Sequence, residues 1–229
     1  MSEFFRFEKQ DEDLPFYSGE TKLSVGGVIL LFICLALFAI PIVFPIPLGD
    51  FEFSMYLGLV LLLPTIYLLR GNLNRMFKKI RRSDIKIIVA CMVLSLVYSF
   101  AMIFILEAVG IADSTPLDAE GFIWNLSFII SFLFQLMGEE LFKILLFLFM
   151  MFLLYNFSHK RKASFVVSLI VSMASFGLLH AGFYGGVVQV FLIQGLGSIF
   201  DFYGYFKTRN IFVPFIAHVL YDAILMIPT

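Results

Sequence analysis

The chain has 229 residues and a net charge of −1; 61% of its residues are hydrophobic and only 14% are charged, and 30 are Phe. An average soluble domain carries roughly 25% charged residues, so a water-soluble globule is excluded and lipid is the expected solvent. The near-neutral balance gives no global attraction to nucleic acid, and no nucleic-acid partner is expected.

The first 22 residues mix Arg6, Lys9 and Lys22 with Glu3, Glu8, Asp11, Glu12, Asp13 and Glu20. They lack the basic-then-apolar order of a cleaved signal sequence. Residues 1–22 read as a mobile cytosolic tail, with Phe4, Phe5 and Phe7 resting on the membrane surface, and residues 23–229 as the membrane domain. A spanning helix needs about 20 mostly apolar residues. That length predicts segments at 24–43, 52–70, 87–110, 123–155, 164–181, 187–206 and 211–227. Pro45, Pro47, Gly49 and Asp50 mark a turn after the first. The fourth segment, at 33 residues, exceeds one crossing and has to tilt, break or begin on the surface. Trp124, near its start, suits an interfacial anchor. The fold class is therefore all-α, a polytopic membrane protein of about seven transmembrane helices. Cys34 and Cys91 lie in apolar runs and read as buried small hydrophobes, not as a disulfide or metal pair.

Orientation follows from the basic residues. Three lie in the tail and seven in 70–86: Arg70, Arg75, Lys78, Lys79, Arg81, Arg82 and Lys86. Lys160, Arg161 and Lys162 follow in 156–163, and Lys207 and Arg209 in 207–210. The alternate gaps at 44–51, 111–122 and 182–186 hold none. Seven crossings put every basic loop on one side, which predicts a multi-pass protein of the cell membrane with a cytoplasmic amino terminus.

The sixteenth basic residue, Lys143, lies inside the fourth segment together with Glu139 and Glu140. His180 ends the fifth segment, Asp201 lies in the sixth, and the seventh carries His218 and Asp222. A charge at the bilayer centre costs about 2.5–3.5 kcal/mol or more, so such groups face the protein interior, pair, or meet water. Residues 23–122 carry none in their segment interiors and form a front half; residues 123–229 form a chemically equipped back half. Glu139 and Glu140 stand four and three residues from Lys143, so its ammonium reaches either carboxylate. Adjacent glutamates point about 100° apart, which predicts different jobs for the two. His218 and Asp222 share one face, as do Phe176 and His180. Gly177, Gly182, Gly185, Gly186, Gly195, Gly197 and Gly204 provide for close helix approach.

Two glutamates, two histidines and an aspartate in a secluded interior suit activation of water and stabilisation of an oxyanion. From residue types alone, a structural polar network, a metal site and a proton-coupled transporter stay open beside a hydrolase. His-Glu-x-x-His is absent, and no matching broken segments occur in the two halves. His159, beside three cations, reads as a solvated loop residue.

Three motifs resemble those of the CAAX protease and bacteriocin-processing membrane endopeptidases. Gly138-Glu139-Glu140-Leu141-Phe142-Lys143 resembles Glu-Glu-x-x-x-Arg, Phe176-Gly177-Leu178-Leu179-His180 fits Phe-x-x-x-His, and His218-Val219-Leu220-Tyr221-Asp222 fits His-x-x-x-Asn/Asp. The stretch from Gln194 through Asn210 to Pro214 also resembles that family's approach to its third motif. The likeness covers roughly residues 123–229 and implies a catalytic helical core there. One departure is plain: the family's arginine falls at Ile144, and Lys143 stands one residue early, without the bidentate fork.

The resemblance implies an intramembrane endopeptidase with Glu139 as general base for a water, aided by His180. Glu140 would pair with Lys143, and His218 with Asp222 would form the oxyanion side. It implies no cofactor and no metal. Its partners would be the lipid bilayer and a peptide or protein substrate, such as a peptide precursor, with self-immunity to bacteriocins as a role. The alternative is a non-catalytic membrane regulator or immunity protein, with a membrane-protein partner, that keeps the family fold. Asp201 is expected either to serve the site or to pair with Lys207.

Overall fold

The computed structural model describes residues 14–17, 19–44, 46–111, 125–182 and 186–226. Phe4, Phe5, Phe7, Pro45, Trp124 and Gly185, to which the sequence assigns roles, lie outside the described residues. Among these residues the chain is all helix, joined by turns: α1 (Val25–Val43), α2 (Asp50–Leu68), α3 (Arg82–Ala108), α4 (Leu126–Ser158), α5 (Arg161–Leu179), α6 (Val187–Thr208) and α7 (Phe212–Leu225). The first six are long and apolar enough to cross a membrane, which makes this an all-α multi-pass membrane protein. The seventh, at 14 residues, reaches only about 21 Å, short of the ~30 Å hydrocarbon layer.

The long fourth segment does not break. It is one helix of 33 residues, about 50 Å long, opened by Asn125, whose side chain accepts from Phe128 N. It ends at His159, an exposed residue with left-handed φ of 53°. α4 is the axis of the fold, packing on α1, α2, α5, α6 and α7. Its crossing with α2 is made by glycine on both sides. A Cβ on Gly138 would meet Leu57 O at 2.6 Å, and one on Gly58 would meet Phe134 O at 2.6 Å. Gly138→Ala is therefore expected to destabilise the fold by about 1–3 kcal/mol through overpacking, read as a lower melting temperature in detergent.

α5 and α6 also touch backbone to backbone: a Cβ on Gly177 would lie 2.9 Å from both Gly195 Cα and Val190 O. Of the other predicted contact glycines, Gly204 lies against Cys91 and Gly197 against Tyr98, while Gly182 and Gly186 face open space. Beside this crossing, α6 widens into a π turn at Phe191–Gly195, where Tyr98 of α3 donates to Leu192 O at 2.7 Å. Both cysteines are buried and free.

Two non-helical pieces close the end of the bundle that bears the basic loops. The stretch read as mobile tail is, in its described part, packed: Leu14, Phe16 and Tyr17 are buried. Tyr17 stands edge-on to Tyr155 of α4 and accepts from Arg161 Nε at 2.7 Å. Its aromatic residues, counted with the tail by charge, are core to the α4–α5 hairpin. The second piece, between α2 and α3, lies under the α6–α7 turn. Asn210 accepts from Lys78 N at 3.1 Å and donates to Lys78 O at 3.0 Å, and Ile211 N donates to Met76 O at 2.9 Å. Thr208, Arg209, Asn210 and Ile211 are consequently buried, so this turn is recessed into the protein.

That recess fixes the depth of the polar residues. Joined by a two-residue turn, α4 and α5 run antiparallel, so Glu140 and His180 stand level, each about 27–29 Å from the hairpin end. His218 lies only about 9 Å into α7. Raising the start of α7 onto the Met76–Lys78 floor brings it to the same level.

Candidate active site

Glu140 is the centre of the site. Its side chain is fully buried, and its Oε1 accepts from Lys143 Nζ at 2.5 Å and from His218 Nδ1 at 2.7 Å. The helical spacing of three residues supplies the first contact, and the recessed start of α7 supplies the second. An ionised carboxylate only accepts, so His218 Nδ1 carries the proton in that bond. The other ring nitrogen, Nε2, faces Asp222 Oδ2 at 3.5 Å, one turn along α7. The imidazole thus has a carboxylate at each nitrogen, the setting of a group that passes protons.

Lys143 is buried completely, and each direction its ammonium offers is matched. It donates to Glu140 Oε1 and to Asp201 Oδ2 of α6, and it stands 4.6 Å over the Phe176 ring of α5. Asp201, left between two roles by the sequence, is held by Lys143. Ile144, at the family's arginine position, is wholly buried in the apolar core. Ligand atoms of Glu140, Asp201 and His218 lie within 4.8 Å of one another, a spread that a metal ion can bridge. Lys143 Nζ bonds to the Glu140 and Asp201 carboxylates, so an ammonium already stands between these two.

Glu139 points elsewhere, as adjacent helix positions require. It is half-buried, and its Oε1 accepts from Gln135 Nε2 at 3.1 Å, while Gln135 Oε1 accepts from Ser54 of α2 at 3.3 Å. Its charge still acts on Asp222, which also feels His218, Lys143 and Asp201. His180 caps the end of α5, half-buried, with Nδ1 2.9 Å from Phe176 O and its ring 4.7 Å from that of Phe176. Phe176 therefore has Lys143 on its face and His180 beside it. The structure brings Glu140, Lys143, His218, Asp222 and Asp201 into one contact network. It sets Glu139 and His180 on the borders of that network.

Several supporting residues escaped the reading of the sequence. Gln135 stands one helical turn before Glu139, a spacing that could have disclosed it. Ser54 and Ser99 had no such signal, because they meet their partners only through the fold. Tyr221 of α7 donates to Ser99 of α3 at 2.8 Å, next to Asp222. The front half, bland in composition, thus steadies the site from α2 and α3. At the centre of the network, Glu140 Oε2 is buried and has no hydrogen-bond partner among the described residues. Such an atom is a place for water or for an N–H of something bound.

Compared with curated proteins and with solved structures, the chain finds no match. A family model does match: Type II CAAX prenyl endopeptidase Rce1-like, over residues 121–224. That stretch runs from before α4 to within α7 and contains all three motifs with the Glu140–His218–Asp222 network. By that match, the carboxy-terminal stretch of this chain is similar to the Rce1-like type II CAAX prenyl endopeptidases.

Proposed function

We propose that the protein is a membrane endopeptidase that hydrolyses a peptide bond with an activated water, in a site sunk between α4, α5, α6 and α7. The observation that carries the reading is the buried Glu140–His218–Asp222 network, level with His180 and beside Glu139, inside the stretch that the family model matches. Glu139, aided by His180, takes a proton from water as the oxygen attacks the peptide carbonyl. His218, as an imidazolium whose Nδ1–H is held by Glu140, turns its Nε2–H toward the oxyanion, and Asp222, which faces the same nitrogen, orients the ring. The proton taken from water then passes to the departing amine, leaving a new carboxylate and a free amine. Lys143 balances Glu140 and does not touch the substrate. The distribution of basic loops supports an amino terminus in the cytoplasm.

The substrate is a peptide that enters from the bilayer, either a prenylated carboxy-terminal peptide or an unmodified peptide precursor. Purified protein is to be incubated with a farnesylated CAAX peptide and with its unprenylated twin, each with and without chelator. Cleavage that is indifferent to chelator and falls roughly 10²-fold or more in Glu139→Gln is the expected result. Undiminished cleavage by Glu139→Gln would remove Glu139 from the mechanism. A second reading draws on Ile144 at the arginine position: a non-catalytic regulator or immunity protein on the same fold. It predicts that the wild type cleaves nothing and that its cellular phenotype survives Glu139→Gln.

A further inference from the structure

A buried lysine differs from a buried arginine in what it can hold. A guanidinium presents a planar fork that grips one carboxylate with two bonds, whereas an ammonium presents three divergent donors and fixes no carboxylate plane by itself. Here the cation stands at 143 and Ile144 fills the neighbouring position in the core. The ammonium is held from three sides by three helices: Glu140 of its own α4, Asp201 of α6 and the Phe176 ring of α5. Its Glu140 contact is to Oε1, the same oxygen that accepts from His218. Where Lys143 Nζ is held therefore decides where the acceptor of the imidazole stands.

We infer that Asp201 is a positioning residue of the active site: by anchoring Lys143 from the opposite side, it fixes Glu140 Oε1 against His218 Nδ1. An oxygen of Asp201 comes within 4.8 Å of a His218 ring nitrogen, but the charged group it bonds is Lys143. Without Asp201 the ammonium has Glu140 as its sole anionic partner and is free to slide along that carboxylate. The acceptor then leaves the line to His218, and a misplacement of about 1 Å is worth roughly 10²-fold in rate. The sequence carries the same logic: a cation displaced by one residue along α4 finds its second anion on a different helix.

This inference rests on the peptidase reading for its consequence in rate, but its structural core can be tested without substrate. The chain has three histidines, of which His159 is an exposed loop residue, so ¹⁵N-histidine spectra of the full chain in nanodiscs are tractable. Wild type is expected to give a His218 Nδ1–H resonance that is protected from exchange and hydrogen-bonded to a carboxylate. Asp201→Asn is expected to lose that signature and, with any peptide that wild type cleaves, to lower kcat roughly 10²-fold with little change in KM. Asp201→Glu is expected to recover both. The double variant Lys143→Met/Asp201→Leu has no ammonium and no second carboxylate. It is expected to melt closer to wild type than Lys143→Met alone while still lacking the His218 signature, which separates positioning from mere support of the fold. An unchanged His218 signature in Asp201→Asn, or its return in the double variant, overturns the inference. If Asp201→Asn does not fold, the double variant decides; if neither folds, Asp201 is a folding residue and the inference fails. An absence of any peptidase activity with the histidine result intact would count against the proposed function alone.

Discussion

Lys143→Met is expected to cost the folded protein about 3–5 kcal/mol, the range for removing one partner from a buried ion pair. The side chain has no exposed surface, and the carboxylates it separates, on α4 and α6, belong to buried residues. Methionine keeps most of the volume, so the loss is electrostatic and owes little to a cavity. Thermal melting of the purified variant in detergent, read beside the amount of protein that reaches the membrane, gives the measurement. The companion change Asp201→Leu, which removes one of the two stranded charges, is expected to restore much of that loss. A melting temperature for Lys143→Met within a degree or two of wild type would mean that the ammonium does not hold α4 to α6.

His218→Ala is the opposite case, with a large effect on chemistry and a modest one on folding. Glu140 keeps its bond to Lys143 when the imidazole goes, and Asp222 is only half-buried, so neither carboxylate is stranded. α7 stays tied to α3 by the hydrogen bond from Tyr221 to Ser99 and to the floor beneath it by Asn210 and Ile211. In the proposed reaction the imidazole serves the oxyanion and moves protons, a role that contributes typically 10²–10⁴-fold. Cleavage of a peptide that wild type processes is expected to fall by about that factor while the melting temperature moves far less than in Lys143→Met. Cleavage at the wild-type rate would take His218 out of the reaction.

The helices were legible in the sequence because lipid leaves a chain few choices. Every backbone polar group must be satisfied within the segment, so length and hydropathy alone mark the spans. The predicted segments meet the observed helices to within a few residues over most of the chain, with α3 starting five residues earlier than expected, at Arg82. Residue pairs on one helix were legible too: Glu140 with Lys143 and His218 with Asp222 follow from the period of 3.6. Contacts between helices were not. Nothing in the sequence distinguishes Asp201 as the partner of Lys143 from Asp201 as the partner of Lys207, because the choice depends on how α6 is rotated against α4. The burial of Phe16 and Tyr17 was hidden for a different reason. They sit among acidic and basic residues, and a stretch judged by its charge conceals the aromatic residues that pack.

The recessed turn between α6 and α7 has a consequence for how this sequence can drift. Connections between spans are ordinarily the part of a membrane protein that tolerates inserted and deleted residues. Here the main chain of Met76 and Lys78 is bonded to the very turn from which His218 is suspended. One residue gained or lost in that connection would push the imidazole along the bundle axis relative to Glu140, as surely as an alteration within α7 itself. A loop that advertises itself by its charges as a mere topological marker is thus a spacer of fixed length, and its residue count is as constrained as any motif.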